Sequence, residues 1–235
     1  VEVSVDGAAP IDVGNVSYYV LSDLAEGEHN VTVSVFDMAG NSVSSVVRFT
    51  VDVTPPTLSL GVPGIIVTNN TTVVVSWSAT DNIGVYYYEV RLDGGSWIKT
   101  TGTSYTLSLT PGKHVFYVRA YDVVGNYAEA SVTFTIDLTA PDVSITSPAD
   151  GSTITTSDVT VQWSSTSTDI AYYLVRLDDG AWINVGTLTN YTFSNVPDGF
   201  HVAYVVAVDY AGRTSMSSVV FKVSASRSIQ IDSES

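Results

Sequence analysis

Val31, Val33 and Val35 alternate with Asn30, Thr32 and Ser34 in the stretch "GEHNVTVSVFDMAGN" of residues 27–41. A side-chain period of two places successive residues on opposite faces of a β-strand, so this segment reads as a strand with one oily and one wet face. Asp37-x-x-Gly40-Asn41 follows as a hairpin turn, because an Asp carboxylate accepts backbone N–H groups and Gly or Asn adopts positive φ. The phrase recurs as "GKHVFYVRAYDVVGN" at 112–126 and "GFHVAYVVAVDYAGR" at 199–213. Elsewhere Val, Ile, Thr and Tyr dominate, alternation persists, and Gly, Pro, Asn and Asp interrupt about every eight to twelve residues. In the middle stretch the pattern predicts strands at 57–60, 65–67, 72–79, 85–92, 97–100, 104–109, 114–121 and 127–136. No stretch has helical apolar spacing of useful length.

The recurrence defines a repeat. His29, His114 and His201 are separated by 85 and 87 residues, as are Asp37, Asp122 and Asp209. Trp77 to Trp163 is a step of 86, Trp97 to Trp182 a step of 85, and "DVTPP" at 52–56 matches "DLTAP" at 137–141. This divides the chain into a partial unit, 1–54, two complete units, 55–139 and 140–226, and a polar C-terminal tail, 227–235. The period suits a small sandwich domain rather than a solenoid or a propeller blade, and the many short strands predict an all-β fold of tandem immunoglobulin-like antiparallel sandwiches. Thr54-Pro55-Pro56 and Thr139-Ala140-Pro141 are short and held extended by proline, so an end-to-end array forming a stiff rod is expected. Aligning Val5-Asp6-Gly7 with Leu92-Asp93-Gly94 leaves the first unit without its first two strands. Half a sandwich exposes an apolar face and open strand edges, so strands from elsewhere in a longer parent chain, or from another molecule, are expected to complete it.

Residues 142–226 resemble a bacterial or archaeal Ig-like surface repeat of the kind found in tandem in large secreted proteins. The resemblance rests on "ITSPADGSTITTSDVTVQW", "VRLDDG" and "GFHVAYVVAVDYAGR", with "ATDNIGVYYYEVRLDGG" adding a similar loop and third strand in the middle unit. It implies the fold and an extracellular setting. Such repeats serve as spacers, adhesin stalks and accessory modules of secreted enzymes, and fibronectin type III is the architectural competitor. The last unit departs from the pattern, with "SSTSTDIAYYLVRL" in place of the Asp-Asn-x-Gly loop.

Charge narrows the partners. Nine Lys plus Arg against 24 Asp plus Glu give a net charge of -15, which repels nucleic acid and anionic membrane surfaces. No apolar run is long enough to span a bilayer, and no basic stretch followed by a short apolar one marks a signal peptide. The chain opens on Val1, as a piece trimmed from a larger protein would. It has no cysteine, which excludes disulfides and thiolate metal sites. No G-x-S-x-G, H-E-x-x-H or phosphate loop is present, and the paired acids Asp178 and Asp179 read as solvated turn residues, so no catalytic residue is assigned. The three histidines, one per unit on the inward phase of a strand, read as structural.

Four candidate features remain. No cofactor is required, but calcium is compatible with Asp52 and Asp137 before the Pro linkers and with Asp81 and Asp122 in loops; each Asp could equally cap a turn. Asn15, Asn30, Asn69, Asn70 and Asn190 stand in glycosylation sequons. Trp97, Trp182 and the strand carrying Tyr86, Tyr87 and Tyr88 offer rings for sugar stacking, although recurrence of the two tryptophans favours packing. Tyr172, Leu174, Tyr204, Val206, Val208, Met216 and Val220 make the outward face of the last unit too apolar for a solvated sheet, which predicts a protein interface. The sequence therefore points to a non-catalytic extracellular structural or assembly module of a surface-layer, stalk, adhesion or filament protein. Its expected partners are other copies or domains of the parent protein, with glycans as a further class. The competing reading is a carbohydrate-binding accessory module of a secreted hydrolase.

Overall fold

A computed structural model describes residues 1–225, and the tail predicted at 227–235 lies outside them. The described residues form strands throughout and contain no helix. The first sheet has the order β2-β1-β3-β4, built from β1 (Glu2–Val5), β2 (Ile11–Asp12), β3 (Gly27–Phe36) and β4 (Ser42–Val51). Next come β5 (Thr57–Leu60), β6 (Ile65–Thr68), β7 (Thr72–Thr80), β8 (Val85–Leu92), β9 (Ile98–Thr100), β10 (Ser104–Ser108), β11 (Gly112–Asp122) and β12 (Tyr127–Ile136). They give a three-stranded sheet, β10-β7-β5, and a five-stranded sheet, β6-β12-β11-β8-β9. The last repeat has β13 (Ser144–Ser147), β14 (Ser152–Ile154), β15 (Val159–Ser164), β16 (Ile170–Leu177), β17 (Ile183–Asn184), β18 (Asn190–Phe193), β19 (Gly199–Asp209) and β20 (Thr214–Val223). It reproduces the arrangement as β13-β15-β18 and β14-β20-β19-β16-β17. By contacts the chain groups into two compact units. One comprises Val1–Gly64, Val74–Thr106 and Val115–Thr133, and the other comprises Ile65–Val73, Leu107–His114 and residues from Phe134 onward.

Period two becomes burial directly. In β15 Val159, Val161 and Trp163 are buried while Thr160, Gln162 and Ser164 are exposed, and β19 buries His201, Ala203, Val205 and Ala207 from the facing sheet. Trp163, Tyr173, Val175, Val196, Phe221 and Val223 close this core. Trp163 meets Tyr173 edge-on at 5.6 Å between ring centroids, and Trp77 meets Tyr88 in the same way at 5.8 Å.

The hairpin from penultimate to last strand has one construction in all three repeats. The N–H groups of Asp37, Asp122 and Asp209 donate to the carbonyls of Asn41, Asn126 and Arg213. Gly40, Gly125 and Gly212 turn the chain at φ of +88, +106 and +80, where a side chain would be strained.

The first sheet confirms the alternation but lacks a covering sheet among the described residues. Val31 is 8% exposed, yet Val35, Val47 and Phe49 are 47%, 58% and 37% exposed, whereas Ala120 of β11 and Val132 and Phe134 of β12, at the equivalent places, are fully buried. The apolar pattern of β3 and β4 is thus intact without the second layer that buries it elsewhere. Val1, Val3, Val13, Val16, Tyr18 and Leu21 line part of a cavity of about 260 Å³ on this sheet.

Candidate functional site

Two acidic clusters stand out. Asp52, directly after β4, lies with Asp81 of the β7–β8 loop and Asp122 of the β11–β12 turn, one oxygen from each falling within 4.8 Å of the others. Asp137, after β12, makes the same arrangement with Asp169 and Asp209. Each cluster lies inside a single compact unit. The first joins three of the four sequence candidates; the fourth, Asp137, belongs to the second cluster. Asp169 and Asp209 were not sequence candidates. Asp209 was legible as the repeat equivalent of Asp122, whereas Asp169 sits in a loop of altered spacing that lost its Asp-Asn-x-Gly signature.

Local folding fixes these carboxylates. Asp122 Oδ1 accepts N–H groups from Val124, Gly125 and Asn126 at 2.9, 2.6 and 2.9 Å, and its Oδ2 accepts the Asn126 side chain at 2.7 Å. Burial opposes its ionisation, but hydrogen bonds from the Asn126 side chain and from the turn backbone outweigh burial and hold the carboxyl below its ordinary range. Asn126 also donates to the Asp52 carbonyl at 3.1 Å. Asp169 shifts the other way: a hydrogen bond with Asp137, then burial, then the charges of Asp137 and Asp209 raise its pKa. Glu26 accepts the Val53 N–H and the Thr54 hydroxyl at 2.9 and 2.6 Å and the Asn82 amide at 3.2 Å, binding the linker to the β7–β8 loop.

The histidines form clamps. His29 Nδ1 lies 2.7 Å from Asp6 Oδ2 and its Nε2 2.7 Å from the Ala25 carbonyl, and His201 repeats this with Asp178 and Pro197 at 2.7 and 2.9 Å. A carbonyl and a carboxylate both accept, so the imidazole that satisfies both is the doubly protonated one. The His29 pKa is accordingly raised by the Ala25 carbonyl and Asp6; for His201, burial opposes the charge and the Asp178 and Pro197 bonds overcome it. His114 Nε2 meets the Thr110 carbonyl at 3.0 Å in the middle repeat. This corrects the reading of Asp178 as a merely solvated turn residue. Its side chain holds His201 through Oδ2 and the Val202 N–H through Oδ1, so the turn acid ties two strands together.

The outer faces differ between repeats. On β8, β9, β11 and β12 of the middle repeat the Arg91 guanidinium lies 4.6 and 4.5 Å from the Trp97 and Tyr117 rings, and Arg119 lies 4.0 and 4.8 Å from Trp97 and Tyr127. Lys99 sits 3.5 Å from Tyr87, which stacks on Tyr121 at 4.7 Å. Trp97 and Trp182 therefore pack on the outer sheet face against arginine rather than inside a sandwich. In the last repeat Arg176 is the one cation over Trp182 and Tyr204 among the described residues, at 4.6 and 4.7 Å. Leu174, Val206 and Met216 then form an apolar row across three strands. Of the proposed interface residues Met216 and Val220 are exposed, while Tyr172, Leu174, Tyr204 and Val206 are half-buried. Val208 is only 5% exposed and so does not belong to that surface. Asn15, Asn30, Asn69, Asn70 and Asn190 are all exposed.

Comparison with known proteins adds relatives and a fold. The chain is 38% identical to halomucin of Haloquadratum walsbyi over 45% of its length and 1% of that protein. It is 31% identical to chitinase A1 of Niallia circulans over 72% of the chain and 26% of the enzyme. The chain thus spans only a small part of each curated relative. The fibronectin(III)-like modules of Clostridium thermocellum CbhA superpose with a TM-score of 0.51 at 15% identity, over 76% of this chain and the whole of that one, which is a likeness of fold. Residues 15–84 match the model of the bacterial Ig-like domain, group 3. With the same sandwich built twice in full beside a third, uncovered sheet, the chain is a bacterial Ig-like tandem repeat.

Proposed function

We propose that the chain is a non-catalytic accessory segment of an exported polysaccharide-associated protein, in which the middle repeat contacts sugar. The carrying observation is the outer face of that repeat, where Tyr87, Tyr117, Tyr121 and Tyr127 stand on neighbouring strands and Trp97 just before β9, with Arg91, Arg119 and Lys99 among them. Aromatic faces provide apolar platforms for pyranose rings, and the interleaved cations and Glu89 provide hydrogen bonds to hydroxyls. A broad sheet face suits an extended polymer better than a small molecule. Similarity to part of a chitinase supports the polysaccharide connection. An extracellular setting goes with this reading, and the exposed sequons are compatible with glycosylation there.

Depletion by insoluble chitin and cellulose tests the reading. The whole chain is expected to bind one of them, and Trp97→Ala combined with Tyr87→Ala should weaken retention about tenfold, the scale of one or two lost stacking contacts. Absence of retention on both polymers overturns it.

The apolar row Leu174, Val206 and Met216 favours a second reading, in which the segment is a structural spacer that assembles with other domains or copies of its parent. Sedimentation of Tyr204→Lys with Val206→Lys tests this. Loss of self-association in a folded variant supports the second reading, and unchanged sedimentation counts against it.

A further inference from the structure

We propose that the chain contains two calcium sites, one formed by Asp52, Asp81 and Asp122 and the other by Asp137, Asp169 and Asp209. This goes beyond the accessory reading and does not depend on it. Proximity of acids alone would not establish a site, since each could be capping a turn. The deciding feature is how the oxygens are divided. Asp52 and Asp209 are 8% and 2% exposed, and in each Oδ1 accepts a backbone N–H, from Thr54 at 3.1 Å and Arg213 at 2.8 Å. The other oxygen, Oδ2, is buried with no hydrogen-bond partner among the described residues. Asp81 repeats the division: Oδ1 takes the Ile83 and Gly84 N–H groups and Oδ2 is left buried and unpartnered. Turn capping thus accounts for one oxygen of Asp52, of Asp81 and of Asp209 and leaves the second buried and unpartnered beside like charges, an unfavourable place without a cation or a proton.

The arrangement also occurs twice, from the same three places in the repeat: the residue after the last strand, a loop of the following repeat, and that repeat's Asp-x-x-Gly hairpin. The offered ligands are carboxylate oxygens alone, and the chain has no thiolate, so a hard cation fits. Oxygens from three separate segments, completed by carbonyls or water, suit the variable coordination of Ca²⁺ better than the strict octahedron of Mg²⁺. Such an ion would fasten the segment after the last strand to the two loops in each cluster.

Titration calorimetry of the chelator-stripped whole chain, in about 150 mM salt to screen diffuse surface charge, provides the test. The expected result is saturable uptake of two Ca²⁺ per chain, with a Tm that climbs by several degrees as Ca²⁺ is added, because a ligand of the native state stabilises it by mass action. Asp52→Asn and Asp209→Asn should each remove one ion and the double variant both, with circular dichroism confirming the fold. Mg²⁺ at equal concentration should fail to displace Ca²⁺. The proposal is overturned if the wild-type chain takes up no ion saturably and its Tm ignores Ca²⁺. It is equally overturned if the folded double variant still binds two ions. The wild-type arm decides the matter even if the variants do not fold.

Discussion

Phe49 and Phe134 occupy matching strand positions, yet one is 37% exposed and the other fully buried. Phe134→Ala should therefore cost about 3–5 kcal/mol, the usual price of emptying a packed aromatic site, and Phe49→Ala about 1 kcal/mol or less. Urea denaturation of the two variants measures the contrast. The sequence reveals that both residues lie on the inward phase, but not which has a partner layer, because alternation records the face and not what lies above it. The histidines give a second case. His201 has its pKa raised in the folded chain, so the stabilisation it contributes is complete below about pH 6.5 and fades as pH rises through the folded value. The Tm difference between wild type and His201→Gln should shrink accordingly from pH 5.5 to 8.5. Sequence spacing identified these residues as structural. Their Asp and carbonyl partners became visible only once the turn and the strand were brought together.

At the level of elements, the predicted strands of the middle repeat and the observed ones coincide within a residue or two, since turn residues mark nearly every end. Loops between sheets were less legible. Asp142 holds the β15–β16 loop through contacts from Thr166 and Ser167, and the Ser167 hydroxyl, followed by the Thr166 N–H, keeps its carboxyl far below the usual range. Nothing in the spacing announces this, because the partners are 24 and 25 residues away and consist of ordinary Ser and Thr. Asp142→Ala should speed hydrogen exchange at the Thr166 and Ser167 amides severalfold while leaving β19 and β20 protected. Since that loop also presents Asp169, the same variant should weaken calcium uptake at the second cluster. The acidic clusters were half legible for a similar reason: Asp122 and Asp209 share a turn phrase, but Asp169 reaches its place from a loop with different spacing.

For the whole molecule, one fold phrase written three times yields two covered sandwiches and one open sheet. Val35, Val43, Val47 and Phe49 leave that sheet with an apolar inner surface. The dye ANS should bind the full chain, and a version lacking residues 1–51 should lose most of that fluorescence while retaining the Trp signal of the remaining repeats. In the last repeat, β20 is flanked by β14, which runs parallel to it from Ser152 opposite Phe221. β4 has no such neighbour among the described residues and is the terminal strand of its sheet. Its outward backbone N–H and C=O groups form a ten-residue template for a foreign strand. Concentrated stocks should consequently gather into oligomers through this border, and a Pro at Val46 should improve their shelf life.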